Sequence, residues 1–166
     1  MAQTIAEALA QITSLTADLK LIANGEVEGE EIIVLNKFAG EKFRSNKPTL
    51  VAALEDRKDL AGVLLADKNL AGINLVDVDL SSSNLTNAIC LGATFTRVNF
   101  SNSDLVGMKV LGAKFIDCIF SKTKILDTDF TGSSLEGSKF EGSAGEQEIN
   151  QNQVAGFLQA LGFKII

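Results

Sequence analysis

From Leu60 to Phe140 every fifth residue is apolar, and this unbroken register limits the possible folds more than any other feature of the 166-residue chain. The series runs Leu60, Leu65, Leu70, Leu75, Leu80, Leu85, Cys90, Phe95, Phe100, Leu105, Val110, Phe115, Phe120, Ile125, Phe130, Leu135 and Phe140, and all six Phe of the segment fall on it. A helix would carry such a stripe around its axis and a strand would flip it at each step, since their side-chain periods are about 3.6 and 2 residues. A period of five needs its own geometry.

A second register, two residues after each centre, supplies that geometry. It reads Gly62, Asp67, Gly72, Asp77, Ser82, Asn87, Gly92, Arg97, Asn102, Gly107, Gly112, Asp117, Lys122, Asp127, Gly132, Gly137 and Gly142, and fourteen of these seventeen are Gly, Asp or Asn. Those residue types tolerate positive φ, as the third position of a type II turn requires. Two positions before the centre, from Ile73 onward, the residues are mostly small or medium and suit a second, cramped inward site. If each segment makes one side and one turn, four segments close a square and residue n lies above residue n−20. Coils then pair along the axis at about 4.8 Å, and residues 58–142 make about four coils, roughly 20 Å tall. Side chains fill such an interior and leave no room for a ligand.

Val78-Asp79-Leu80-Ser81-Ser82, Ser83-Asn84-Leu85-Thr86-Asn87, Val98-Asn99-Phe100-Ser101-Asn102 and Thr128-Asp129-Phe130-Thr131-Gly132 resemble the motif of the pentapeptide-repeat family. The resemblance implies an all-β core, the right-handed quadrilateral β-helix of that family, and it carries over no catalytic residue because the family is not enzymatic as a rule. Lys58 and Lys68 depart from the motif at the small inward position, so the first coil is expected to be irregular. Ile89, Lys109, Lys114, Ile119, Lys124 and Lys139 depart from it just before the centre.

Open ends of a β-helix expose unpaired strand edges, so flanking segments are expected to cover them. Residues 1–47 read as an N-terminal helical segment. Thr4 and Glu7 form a candidate capping box, and Ile5, Leu9, Ile12, Leu19 and Ile22 follow at helical spacing before Asn24-Gly25 stops the helix. A second helix is expected over Glu30 to Phe43. Residues 48–57 read as a short helix over the first coil, with Pro48 in its first turn and Leu50, Val51 and Leu54 apolar. Residues 143–166 read as a linker, a C-terminal capping helix with Val154, Phe157, Leu158 and Leu161 on its apolar face, and an extended tail.

Composition removes most catalytic options. The chain has no His, which excludes Ser-His-Asp and Cys-His pairs and imidazole-ligated metals. The net charge of −6 argues against a nucleic-acid surface. No cofactor, metal or phosphate-binding motif occurs, no stretch of eighteen apolar residues could cross a membrane, and a cytoplasmic protein is expected. Cys90 and Cys118 lie 28 residues apart, which puts them on different faces and predicts reduced, buried thiols.

Three features remain as candidate sites. Asp77, Arg97 and Asp117 share one corner, where the guanidinium is expected between two carboxylates as a structural charge ladder rather than an acid/base pair. Ser81, Ser101 and Ser121 stack as a hydroxyl ladder with no base to activate a nucleophile. On the outward register, Leu91 and Leu111 stack, Val106 and Leu126 stack, and Ile116 lies on an adjoining side, so these five form an apolar patch. The chain's own N-terminal helices fold back over it, or a protein partner or second copy docks there, giving a monomer or a homodimer. The expected role is therefore a non-catalytic scaffold. The resemblance also implies an alternative, a DNA mimic that binds a type II topoisomerase, against which the nine acids and seven bases of Leu60 to Gly142 argue.

Overall fold

The computed structural model describes residues 31–140 and 154–162. The helix expected over Ile5 to Ile22 and the tail Phe163 to Ile166 lie outside these residues. In chain order the elements are β1 (Ile32–Leu35), β2 (Glu41–Ser45), α1 (Leu50–Glu55), β3 (Asn74–Val76), β4 (Thr94–Thr96), β5 (Lys114–Ile116) and α2 (Val154–Ala160).

The backbone follows a register of twenty. Strands β3, β4 and β5 form a parallel sheet that pairs Leu75 with Phe95 and Phe95 with Phe115. Single parallel bridges continue the same register on the other sides: Asp59 to Asp79, Asn99, Ile119 and Lys139; Leu64 to Asn84, Asp104 and Lys124; Asn69 to Ile89, Lys109 and Asp129. Central N–H groups donate to the carbonyl nineteen residues later, as from Leu80 to Asn99 at 2.9 Å and from Phe100 to Ile119 at 2.8 Å. The N–H just before it donates twenty-one residues back, as from Asn99 to Val78 at 3.0 Å. This is the repeat β-helix, with backbone polar groups satisfied between coils.

Three positions of the motif show the geometry that explains their residue types. All sixteen described corner residues from Gly62 to Gly137 have positive φ, between 53° and 72°. Just before the centre, Asp or Asn accepts the N–H two residues on, as in Asp79 from Ser81 at 2.8 Å, Asn99 from Ser101 at 3.0 Å and Asp129 from Thr131 at 3.0 Å. At the small inward site a hydroxyl donates to the central carbonyl 23 residues back: Ser103 to Leu80 at 2.7 Å, Thr123 to Phe100 at 2.8 Å and Thr128 to Leu105 at 2.7 Å. Cys118 Sγ makes the same contact with the Phe95 carbonyl at 3.3 Å.

The centres are buried from Leu60 through Leu135. Because one coil repeats at strand spacing, like rings must stack at that spacing, and they do: the Phe100 and Phe120 centroids lie 5.1 Å apart and those of Phe120 and Phe140 4.7 Å apart, with interplanar angles of 9° and 6°. Phe95 and Phe115 stack at 5.0 Å, and edge-to-face contacts such as Phe95–Phe100 at 5.4 Å link neighbouring sides. In the first coil Lys58 and Lys68 are exposed, and the Lys58 ammonium donates to the Val76 carbonyl.

The segment expected as a second helix, Glu30 to Phe43, is instead a hairpin as far as it is described, so the reading of 1–47 as helical fails there. Strands β1 and β2 pair antiparallel, with Ile32 opposite Ser45 and an irregularity between Val34 and Leu35. The β-branched run Ile32-Ile33-Val34 favours a strand. The turn is organised by Asn36, whose Oδ1 accepts the N–H of Phe38 at 2.9 Å, and by Ala39 at φ 62°. In α1, Thr49 is the N-cap and its Oγ1 accepts from Ala52 N at 3.1 Å; Pro48 therefore precedes the cap rather than occupying the first turn.

Both ends of the coil meet other elements. Gly62 O accepts from Lys37 N at 2.7 Å, Leu64 N donates to Leu35 O at 2.8 Å, and Asn74 N donates to Glu55 Oε1 at 2.7 Å, so hairpin and helix satisfy groups on the first coil's edge. At the other end Leu135 N donates to Ala160 O at 2.9 Å, and Phe157 meets Phe130 and Phe140 edge-to-face, each at 5.4 Å. The face of α2 that packs differs from the expected one. Gly156 and Ala160 are buried, whereas Val154, Leu158 and Leu161 are exposed. Close approach decides this: a Cβ at Gly156 would lie 2.8 Å from Thr131 Oγ1.

Candidate interaction surface

The outward residues alternate with buried centres, so what they present follows from sequence position alone. Leu91 and Leu111 are 42% and 57% exposed, one coil apart on a single side. Val106, Leu126 and Ile116 are half-buried. The five residues thus differ in availability, and the two leucines dominate. Ile119, 41% exposed, is a further outward apolar group, visible in the sequence only as a departure from the motif.

Beside the leucines runs a corner without side chains. Gly72, Gly92, Gly112 and Gly132 occupy it in successive coils, with φ between 63° and 72°. A Cβ would meet nothing within 4 Å at the first three of these positions, and at Gly132 it would lie 3.3 Å from Leu111 Cδ1.

The Asp77, Arg97 and Asp117 corner is not the symmetric ladder expected. Arg97 pairs with Asp77 alone, Nε to Oδ1 at 2.6 Å and Nη2 to Oδ2 at 2.8 Å. That bidentate bond holds the Asp77 carboxyl below the usual carboxylate range. Asp117 turns the other way, toward the next coil, where its Oδ1 sits 2.2 Å from the place a Cβ of Gly137 would take. Asn87 is placed likewise against Gly107, with 2.5 Å to that Cβ position, and glycine at these two corners leaves room for the polar side chain one coil earlier.

Along the hydroxyl ladder Ser101 Oγ donates to Asn99 Oδ1 at 2.6 Å, an amide oxygen that cannot serve as a base of any strength. Cys90 and Cys118 are buried free thiols, and burial pushes them up to about 12 and about 11 respectively, so neither forms a thiolate near neutral pH. Among the described residues no three metal-ligating side chains come together, and no helix is long and apolar enough to cross a membrane.

Residues 73–109 match the family model for pentapeptide repeats, in eight copies. This stretch of the chain carries pentapeptide repeats. Among solved structures, this pentapeptide-repeat protein is similar to Rfr23 of the cyanobacterium Cyanothece 51142, at 27% identity and TM-score 0.39 over 55% of this chain and 63% of that one. A pentapeptide-repeat protein of the Arabidopsis thaliana thylakoid lumen matches at 18% identity and TM-score 0.32, over 68% of this chain and 81% of that one. Full-length QnrB1, a plasmid-mediated fluoroquinolone resistance protein, matches at 18% identity and TM-score 0.20, over 63% and 66%. The chain therefore spans less than two thirds of the length of Rfr23. No curated protein matches its sequence.

Proposed function

We propose that this pentapeptide-repeat protein is a non-catalytic scaffold in the cytoplasm that acts by protein–protein contact, through the side of the coil that carries Leu91 and Leu111. The observation that carries the reading is the exposure of two stacked leucines beside a corner of bare backbone on a rigid column. Exposed apolar groups of this kind, flanked by open backbone, allow a partner to approach closely and bury them. In this reading the column is a right-handed quadrilateral coil of about four turns, with α1 and α2 as its caps, and its rigidity fixes the spacing of the leucines.

The test is capture of protein partners by the wild type beside the Leu91→Glu/Leu111→Glu variant. A partner held by the wild type and lost by the variant supports the reading; capture unaffected by the two charges overturns it. A DNA gyrase supercoiling assay separates the alternative. Inhibition or protection of gyrase would favour a topoisomerase-binding DNA mimic, the alternative that the resemblance of the repeat motif to the pentapeptide-repeat family implies.

A further inference from the structure

Strand β1 meets the first coil: Asn36 bridges Val63 antiparallel and Leu64 N donates to Leu35 O. A groove of about 310 Å³ lies between the strand and residues 64–68. Ile33, Val34, Leu35 and Leu50 line it on one side and residues 64–68 on the other, among them Leu64, Ala66 and the oppositely charged pair Asp67 and Lys68. Ile33 is 48% exposed although it lies in the middle of a strand.

We infer that the N-terminal segment, residues 1–30, docks in this groove through the apolar set Ile5, Leu9, Ile12, Leu19 and Ile22. The chain enters β1 directly from this segment, so its end is anchored at the groove's wall. Residues 24–30 separate the apolar set from Glu31, and seven residues reach at most about 25 Å when extended, enough to double back over one end of the coil. The inference goes beyond the proposed function and leaves the Leu91 and Leu111 side free for a partner.

The experiment is amide hydrogen exchange of the full chain, read over residues 5–22, in the wild type, in Leu64→Glu, in Ala66→Trp, which fills the groove from its floor, and in Leu91→Glu/Leu111→Glu. The expected result is slowing of roughly tenfold or more relative to an unstructured peptide in the wild type and in the leucine-pair variant, lost in both groove variants while exchange within 73–139 stays unchanged. Ala66→Trp keeps the test decisive if a charge at Leu64 loosens β1. Unstructured exchange of residues 5–22 in the wild type, or protection lost only in the leucine-pair variant, overturns the inference.

Discussion

The axis of the coil and its corners share one register of twenty, yet they tolerate very different residues. Along the axis only Leu, Ile, Val, Phe and one Cys occur, all buried from Leu60 through Leu135. The corners hold the same positive φ with Gly, Asp, Asn, Ser82, Arg97 and Lys122. A non-glycine residue in this region costs about 1 kcal/mol or more, and nine corners accept it. The interior and the coil-to-coil hydrogen bonds therefore impose the turn, and the corner residue follows.

If so, the largest effects belong to the axis. Phe115→Ala removes a ring stacked on Phe95 and edge-on to Phe100, Phe120 and Phe130, and should destabilise by about 3–5 kcal/mol in denaturant titration. A loss below about 1 kcal/mol would mean that the column collapses around the gap and that the axis does not set the register.

Next come corners whose space is already taken. Gly137→Ala puts a Cβ on the Asp117 carboxylate, whereas Gly112→Ala meets nothing within 4 Å, and both sit at positive φ. Gly112→Ala should cost about 1 kcal/mol and Gly137→Ala clearly more. Equal losses would show that backbone conformation alone makes these glycines necessary. Ser103→Ala lies between axis and corner. It removes the 2.7 Å bond to Leu80 O in a buried site and should cost about 1–3 kcal/mol, with Ser103→Thr keeping the hydroxyl and most of the stability.

The smallest effects belong to the polar surface. Thr131 bonds hold the Asp129 carboxyl below its ordinary value, and Arg97 does so for Asp77. A depressed folded pKa means stability that is present above the unfolded value, about 4, and is lost as pH falls through the folded one. The denaturation midpoint should drop on acidification in that range, and Asp129→Asn, which keeps the Oδ1 acceptor without titrating, should lessen the drop. Lys122→Gly should leave stability within about 1 kcal/mol of wild type, with any change upward, because it relieves positive φ.

Much of this architecture is legible in the chain because the repeat makes it local. The period of five names the buried centres, the Gly, Asp and Asn register names the corners, and the α1 segment is marked by Thr49 and by Leu54. The hairpin was not legible as such, since Ile32 to Leu35 is a short apolar run that suits a helix or a strand until its pairing with β2 is known. The packed side of α2 escaped for a related reason. Helical spacing identified Val154, Leu158 and Leu161 as apolar, but only the close approach of Gly156 to Thr131 selects the face that packs. Of the candidate surface, Leu91 and Leu111 were readable from outward position, while the half-burial of Val106, Ile116 and Leu126 depends on neighbouring coils.

Sequence alone determined that residues twenty apart share a side and that the bulky ones face inward, because a dry axis admits no polar substitute and each repeat restates the same demand. Tertiary structure decided everything that joins one non-repeating element to another: the hairpin on the first coil, the orientation of α2, the choice of Asp77 rather than Asp117 by Arg97, and the groove beside β1. Those outcomes rest on distances between segments far apart in the chain, and no local pattern of residue types encodes them.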